Sequence, residues 1–148
     1  RKMKFTQEIR NFILGYLSGD GPTPCGASCR FLQYEGVGIK FYGKQEENAR
    51  KSFEAQSRAH GLGIAPAVGE YFKIQLRIEP YAEPINLFGY LTEIAADVGR
   101  GASIMEEKIL CNSLRAANFS AGDITPRNYG RINGKLVCID FDPVSMSC

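Results

Sequence analysis

At 148 residues and 16.4 kDa, 44% of them hydrophobic, the chain has room for one domain or a closely packed pair of small lobes with a sizeable core. Eighteen Lys and Arg against 16 Asp and Glu leave a net charge of +2, too weak a field to argue for nucleic acid or an anionic membrane as partner. No run of about 18 apolar residues occurs, so nothing reads as a membrane-spanning helix.

Arg1-Lys2-Met3-Lys4 is basic, but Phe5 to Arg10 is mixed rather than apolar, which is not the pattern of a signal peptide. Because position 1 is not Met, the numbering is expected to begin after a removed leader, tag or upstream segment. Five cysteines, with only Cys25 and Cys29 close together, do not make a disulfide framework, and a reducing cytoplasm is expected. Zinc would need two further soft ligands beside Cys25 and Cys29, and Cys111, Cys138 and Cys148 each stand alone. The one histidine, His60, precedes Gly61 at the end of a helical pattern, where a capping role suits it better than catalysis.

In chain order, Phe12 to Leu17 reads as a strand, followed by a turn-rich loop from Ser18 to Gly26. Ser28 to Tyr34 and Val37 to Tyr42 read as a hairpin closed by Glu35-Gly36, with Lys40 across from Phe31. Glu46 to His60, with acids in its first turn and Gly61 after its last, reads as a helix. Ala67 to Phe72 and the alternating Ile74, Leu76 and Ile78 predict strands that end before Pro80 and Pro84. Two helices are expected next. Leu87, Leu91, Ile94, Ala95 and Val98 define the first, and Ser103 with Glu106 forms a capping box ahead of Ile109, Leu110 and Leu114 in the second. Asn133-Gly134 then predicts a hairpin of Tyr129 to Ile132 and Lys135 to Phe141.

That last hairpin has a chemical consequence. If Ile132 faces Lys135, Arg127 faces Asp140 and Asn128 stands beside it, so an amide oxygen and a carboxylate reach one end of the hairpin about 5 Å apart. Asp123 lies five residues upstream on the incoming loop. Hard oxygen donors without His or Cys suit Mg²⁺ rather than zinc. Singly, each residue has a plain role: Asp123 caps a turn, Asn128 ends a strand and Asp140 is solvated.

Together, Gly122-Asp123-Ile124-Thr125-Pro126-Arg127-Asn128 and Asp140-Phe141-Asp142 resemble the catalytic loop and metal-binding triplet of the protein-kinase-like superfamily. The loop is similar to the version found in its small-molecule and atypical branch. Upstream, Val37-Gly38-Ile39-Lys40 is similar to the lysine strand, Glu54 stands where the family has its lysine-pairing glutamate, and Ile78-Glu79-Pro80-Tyr81 follows a strand as the adenine-binding hinge does. The resemblance implies an α+β, minimal two-lobed fold: an N-lobe-like part over 1–80 (a small antiparallel sheet plus helix 46–60) and a reduced helical lobe over 81–148 with two helices, catalytic loop and metal-binding hairpin. It implies that Lys40 holds the ATP phosphates, that Glu54 fixes Lys40 and that the Glu79 carbonyl and Tyr81 amide bind the adenine edge. Asp123 then serves the acceptor hydroxyl, and Asn128 and Asp140 hold Mg²⁺.

Three departures accompany it. Ala121 replaces the histidine two residues before the catalytic Asp, Asp142 replaces the glycine of D-F-G, and Pro143 to Cys148 cannot supply a peptide-substrate platform. Two function classes follow. One is a minimal ATP- and Mg-dependent phosphotransferase, acting on protein Ser/Thr or on itself, in the cytoplasm or in a host's cytoplasm if phage- or pathogen-encoded. The other is a pseudokinase-type module that engages a partner protein without turnover. The Gly19-Asp20-Gly21 loop serves neither well, since Pro22 and Pro24 lack the amides that cradle phosphate.

Overall fold

A computed structural model of the chain describes residues 3–19, 29–77, 79–98, 101–119 and 128–141. The architecture is α+β. Its described elements are α1 (Gln7–Ser18), β1 (Arg30–Tyr34), β2 (Val37–Gly43), α2 (Glu46–Gly61), β3 (Val68–Leu76), β4 (Ile85–Thr92), β5 (Ala96–Asp97), α3 (Ile104–Ala116), β6 (Tyr129–Ile132) and β7 (Lys135–Cys138). The strands form two antiparallel sheets, of order β1-β2-β4-β3 and β5-β6-β7. Among the described residues no helix is long and apolar enough to cross a membrane.

The chain divides into two compact units, and not at residue 80. One comprises the residues up to Phe53 together with Val68–Glu93, the other Glu54–Ala67 with Ile94–Phe141. The division falls inside α2 and after β4, because 54–67 packs with the C-terminal elements.

The first unit is built on the four-stranded sheet. Glu35 and Gly36 both take positive φ, 47° and 81°, as a two-residue hairpin turn requires, and the register sets Phe31 opposite Lys40 as expected. Residues 12–17 are helical, not a strand. Thr6 caps α1 by accepting from the Ile9 amide at 3.2 Å, and Ile9, Phe12, Ile13 and Leu17 recur at helical spacing against the sheet. Their partners on that face are Ile39, Phe41, Phe72, Ile74, Leu87 and Leu91.

The helix expected over Leu87 to Val98 is instead strand β4 and the short β5. Both faces of β4 are covered, with Leu87 and Leu91 toward α1 and Phe88 and Tyr90 toward the core that includes Ala49 of α2. A strand buried on both sides is apolar throughout, and its spacing then fits a helix equally well. The two strand segments expected between Ala67 and Ile78 are one strand, β3, at the sheet's edge.

The second unit packs Ala59 of α2, Ile64, Ala65 and Val98 against Leu110 and Leu114 of α3 and against Tyr129, Leu136 and Cys138 of the β6–β7 hairpin. The Cys138 amide donates to the Ile64 carbonyl at 2.9 Å, tying β7 to the segment that leaves α2. The Ser103–Glu106 capping box is present in both directions at 3.1 and 3.0 Å. Asn133 and Gly134, at φ 51° and 81°, close the hairpin in the expected register.

Candidate functional site

Lys40 lies in register between Phe31 of β1 and Tyr90 of β4. Strand alternation sends it to the face opposite Ile39 and Phe41, the same face as Tyr42. There it is only 7% exposed, with Nζ 5.7 Å from the centre of the Tyr90 ring. Tyr90 in turn stacks on Tyr42 at 6.1 Å and meets Phe53 of α2 edge-on at 5.3 Å. A lysine buried among aromatic rings on a central strand is uncommon, because desolvating an ammonium is costly unless the surroundings compensate.

Glu54 does not take the role expected of it. The buried face of α2 carries Ala49, Ser52, Gln56 and Ala59, and Glu54 lies on the exposed side, with no ion pair among the described residues. The inward-facing polar groups of α2 are Ser52 and Gln56, both fully buried, and Gln56 Nε2 donates to the Pro66 carbonyl at 3.1 Å. The three- and four-residue spacing of the buried positions, rather than distance from the lysine motif, identifies that face.

Glu79 and Tyr81 are also displaced from their expected role. They sit in the turn between β3 and β4, where the Glu79 carbonyl already accepts from the Ala82 amide at 3.1 Å and Tyr81 is fully exposed. Arg77 Nη1 donates to the Ala82 carbonyl at 2.7 Å and closes the turn further. The strand before this turn is the edge strand, whereas the central strand is β4, followed by Glu93 to Ala95.

Asn128 and Asp140 both lie at the open end of the β6–β7 hairpin. The β6–β7 register continues one step past Tyr129 and Cys138, the Ile139 amide donating to the Asn128 carbonyl at 2.9 Å. Asn128 therefore faces the residue next to Asp140 at the open end of the hairpin. Asn128 is partly buried and Asp140 exposed, and Cys138 Sγ lies 3.5 Å from the Asp140 carbonyl. Asp123, Arg127 and Asp142 lie outside the described residues, as does the Asp20–Cys25 loop.

The hairpin is held to α3 by two acid contacts. Arg131 grips Glu106 with Nη1 to Oε2 at 2.7 Å and Nη2 to Oε1 at 3.0 Å, and also donates to the Gly134 and Gly101 carbonyls. These bonds, with that from the Ser103 amide, hold the Glu106 carboxyl down to about 2. The Tyr129 hydroxyl donates to Glu107 Oε1 at 2.6 Å, which together with burial pushes the phenol up to about 12.

α3 ends in a Schellman motif, with Asn118 at φ 64°, its amide on the Arg115 carbonyl at 3.0 Å and the Phe119 amide on the Leu114 carbonyl at 2.8 Å. The Phe119 ring so presented meets Phe141, the middle residue of Asp140-Phe141-Asp142, edge-to-face at 5.6 Å. Above Phe119, at 3.9 Å, lies the guanidinium of Arg58 from α2, whose Nη1 donates to the Ala117 carbonyl at 2.7 Å. The available signal was that Phe119 is the sole aromatic between Tyr90 and Tyr129.

Asn128 carries an amide oxygen and Asp140 a carboxylate, oxygen donors of the hard type. Among the described residues there is no group of three or more His, Cys, Asp or Glu that could hold a metal by itself. Comparison of the chain with known protein families, with curated proteins and with solved structures gives no match in any of the three.

Proposed function

We propose that this chain is a Mg-ATP-dependent phosphotransferase of the protein-kinase-like kind, acting on a protein hydroxyl or on itself. The observation that carries the reading is the Asn128–Asp140 pair at the open end of one hairpin, directly after the D-x-x-x-x-N segment that begins at Asp123. Lys40 on β2 supports it by its place on an interior strand of the sheet, where the resemblance expects the lysine.

In this reading Asn128 and Asp140 hold Mg²⁺, which supplies charge stabilisation on the phosphate oxygens when bound. Lys40 holds the ATP phosphates. The acceptor oxygen attacks the γ-phosphorus while its proton passes to Asp123, and the bond to the ADP oxygen breaks. Glu79 and Tyr81 follow the edge strand β3, so this reading assigns them no adenine-edge role. Glu54 is dropped from the set.

The exposed position of Glu54 favours a second reading, a nucleotide-responsive module that holds a protein partner without turnover. One pair of measurements separates the two. Mg-ATP should raise the melting temperature, and Lys40→Met or Asp140→Ala should abolish that rise; no rise at millimolar Mg-ATP overturns nucleotide binding. Intact-mass analysis after incubation with Mg-ATP should show added phosphate that Asp123→Asn loses while still binding nucleotide. Binding without any added mass on the chain or on a generic protein acceptor supports the second reading.

A further inference from the structure

We infer that the outward face of α3 is a docking surface for an acidic amphipathic helix of a partner protein. Neither nucleotide nor phosphoryl transfer enters this role, so it stands apart from the phosphotransferase reading.

α3 carries two apolar stripes. Leu110 and Leu114 face the core of the second unit and satisfy the helix's need for one buried side. The other stripe points away from that core. Of the six exposed large hydrophobic side chains among the described residues, Ile104, Met105 and Ile109 fall within one short stretch of this helix, so they form a patch rather than a scatter. Met105, Ile109, Asn112 and Ala116 are all exposed and follow at intervals of four, three and four, the spacing of the a and d positions in a coiled-coil seam.

The charges of α3 are sorted by face. Glu106 is held by Arg131, and Glu107 accepts from the Tyr129 hydroxyl, so both acids are turned toward β6. Lys108 and Arg115 are exposed, seven residues apart, and run beside the outer stripe, where a coiled coil places the charges that select its partner. The occupant that answers them is acidic. A second copy laid antiparallel would set these two cations against their own counterparts, and laid parallel would set Lys108 beside Ser113, so self-pairing supplies no counter-charge. A lipid surface is disfavoured too, because the stripe has no aromatic side chain and only two cations beside it.

The test is a selection from a library of peptides about 16 residues long, enough for a helix to form, with Leu or Ile at the a and d positions and Glu, Lys, Gln or Ser at the flanking ones. Wild-type protein should enrich Glu at the flanks. The enriched peptide, synthesised and titrated, should bind at least about tenfold more weakly to the double variant Met105→Gln, Ile109→Gln. The double variant Lys108→Glu, Arg115→Glu should turn the selection toward Lys. All four side chains are exposed, so both variants should melt as wild type does. No enrichment, enrichment without acidic bias, or binding that both double variants leave unchanged overturns the inference. So does a concentration-dependent dimer, or binding to vesicles of phosphatidylcholine and phosphatidylserine, that Met105→Gln with Ile109→Gln abolishes, since the face then belongs to a second copy or to lipid.

Discussion

Arg131 straddles Glu106, each guanidinium nitrogen on a different carboxylate oxygen, and joins strand β6 to the first turn of α3. The folded-state carboxyl lies near 2, below its ordinary range, so the contact stabilises the fold above that range and is lost as pH falls toward 2. The melting temperature of Glu106→Gln should therefore lie below wild type at neutral pH. The gap should close progressively between about pH 5 and pH 2. A gap that does not change with pH would assign the loss to the capping box alone. High salt should narrow it at neutral pH, since the pair is only half-buried.

Gly15 lies inside α1, and a Cβ placed there meets nothing within 4 Å. Gly15→Ala should stabilise the protein by about 0.5–1 kcal/mol, because it removes backbone entropy from the unfolded chain and adds no clash. Chemical denaturation at constant m-value is the measurement. A loss of stability would be incompatible with a helix over these residues.

The opposite outcome is expected at Gly89, in the middle of β4. A Cβ would stand 2.5 Å from the Lys40 carbonyl and 2.6 Å from the Phe72 ring. Gly89→Ala should cost about 1–3 kcal/mol by overpacking. In a Phe72→Leu background the ring is shortened but the carbonyl stays, so the alanine should remain destabilising there. Full recovery would mean that the ring was the whole obstacle.

Asn118 holds a left-handed conformation at the end of α3. Asn118→Gly should be neutral or slightly stabilising, whereas Asn118→Val should cost about 1–2 kcal/mol in backbone strain. Because Phe119 follows directly, the valine variant should also alter its contact with Phe141. Chemical shifts of the two rings would report that, and unchanged shifts would show that the ring contact is independent of the helix end.

The parts of the fold that could be read from the chain are those decided within a few residues. Glu35-Gly36 and Asn133-Gly134 fix their hairpins through positive φ, and with the turn goes the register, so Lys40 opposite Phe31 and Ile132 opposite Lys135 follow at once. The Ser103 cap is equally local. What failed needed either a wider window along the chain or the tertiary neighbours. Phe12 to Leu17 reads as a strand only until Ile9 and the Thr6 cap are included, and Leu87 to Val98 reads as a helix until both faces of β4 are known to be covered.

The candidate site divides along the same line. Asn128 and Asp140 fall at the same end of one hairpin because the Asn133-Gly134 turn sets its register, with Asn128 opposite Ile139. Glu54 was chosen by its order after Lys40, but which side of α2 faces inward is set by Ala49, Ser52, Gln56 and Ala59 against tertiary neighbours. Glu79 and Tyr81 were placed after the central strand, and only the sheet order shows that β4, not β3, is central. Arg58 and Phe119 carry no motif at all; they become visible through the stack they make.

The interleaving of the two units bears on how such a chain can be cut or recombined. The backbone changes unit at Phe53–Glu54, Ala67–Val68 and Glu93–Ile94, so neither unit is a contiguous stretch. A fragment ending at Glu93 would carry Ala59, Ile64 and Ala65 without Leu110, Leu114 and Leu136, the residues that cover them. The complementary fragment would have the opposite gap. Exchange of one half for that of a distant sequence therefore replaces part of both cores at once, and α2 must suit two sets of neighbours along one helix. A cut at Glu93 therefore opens both cores at once.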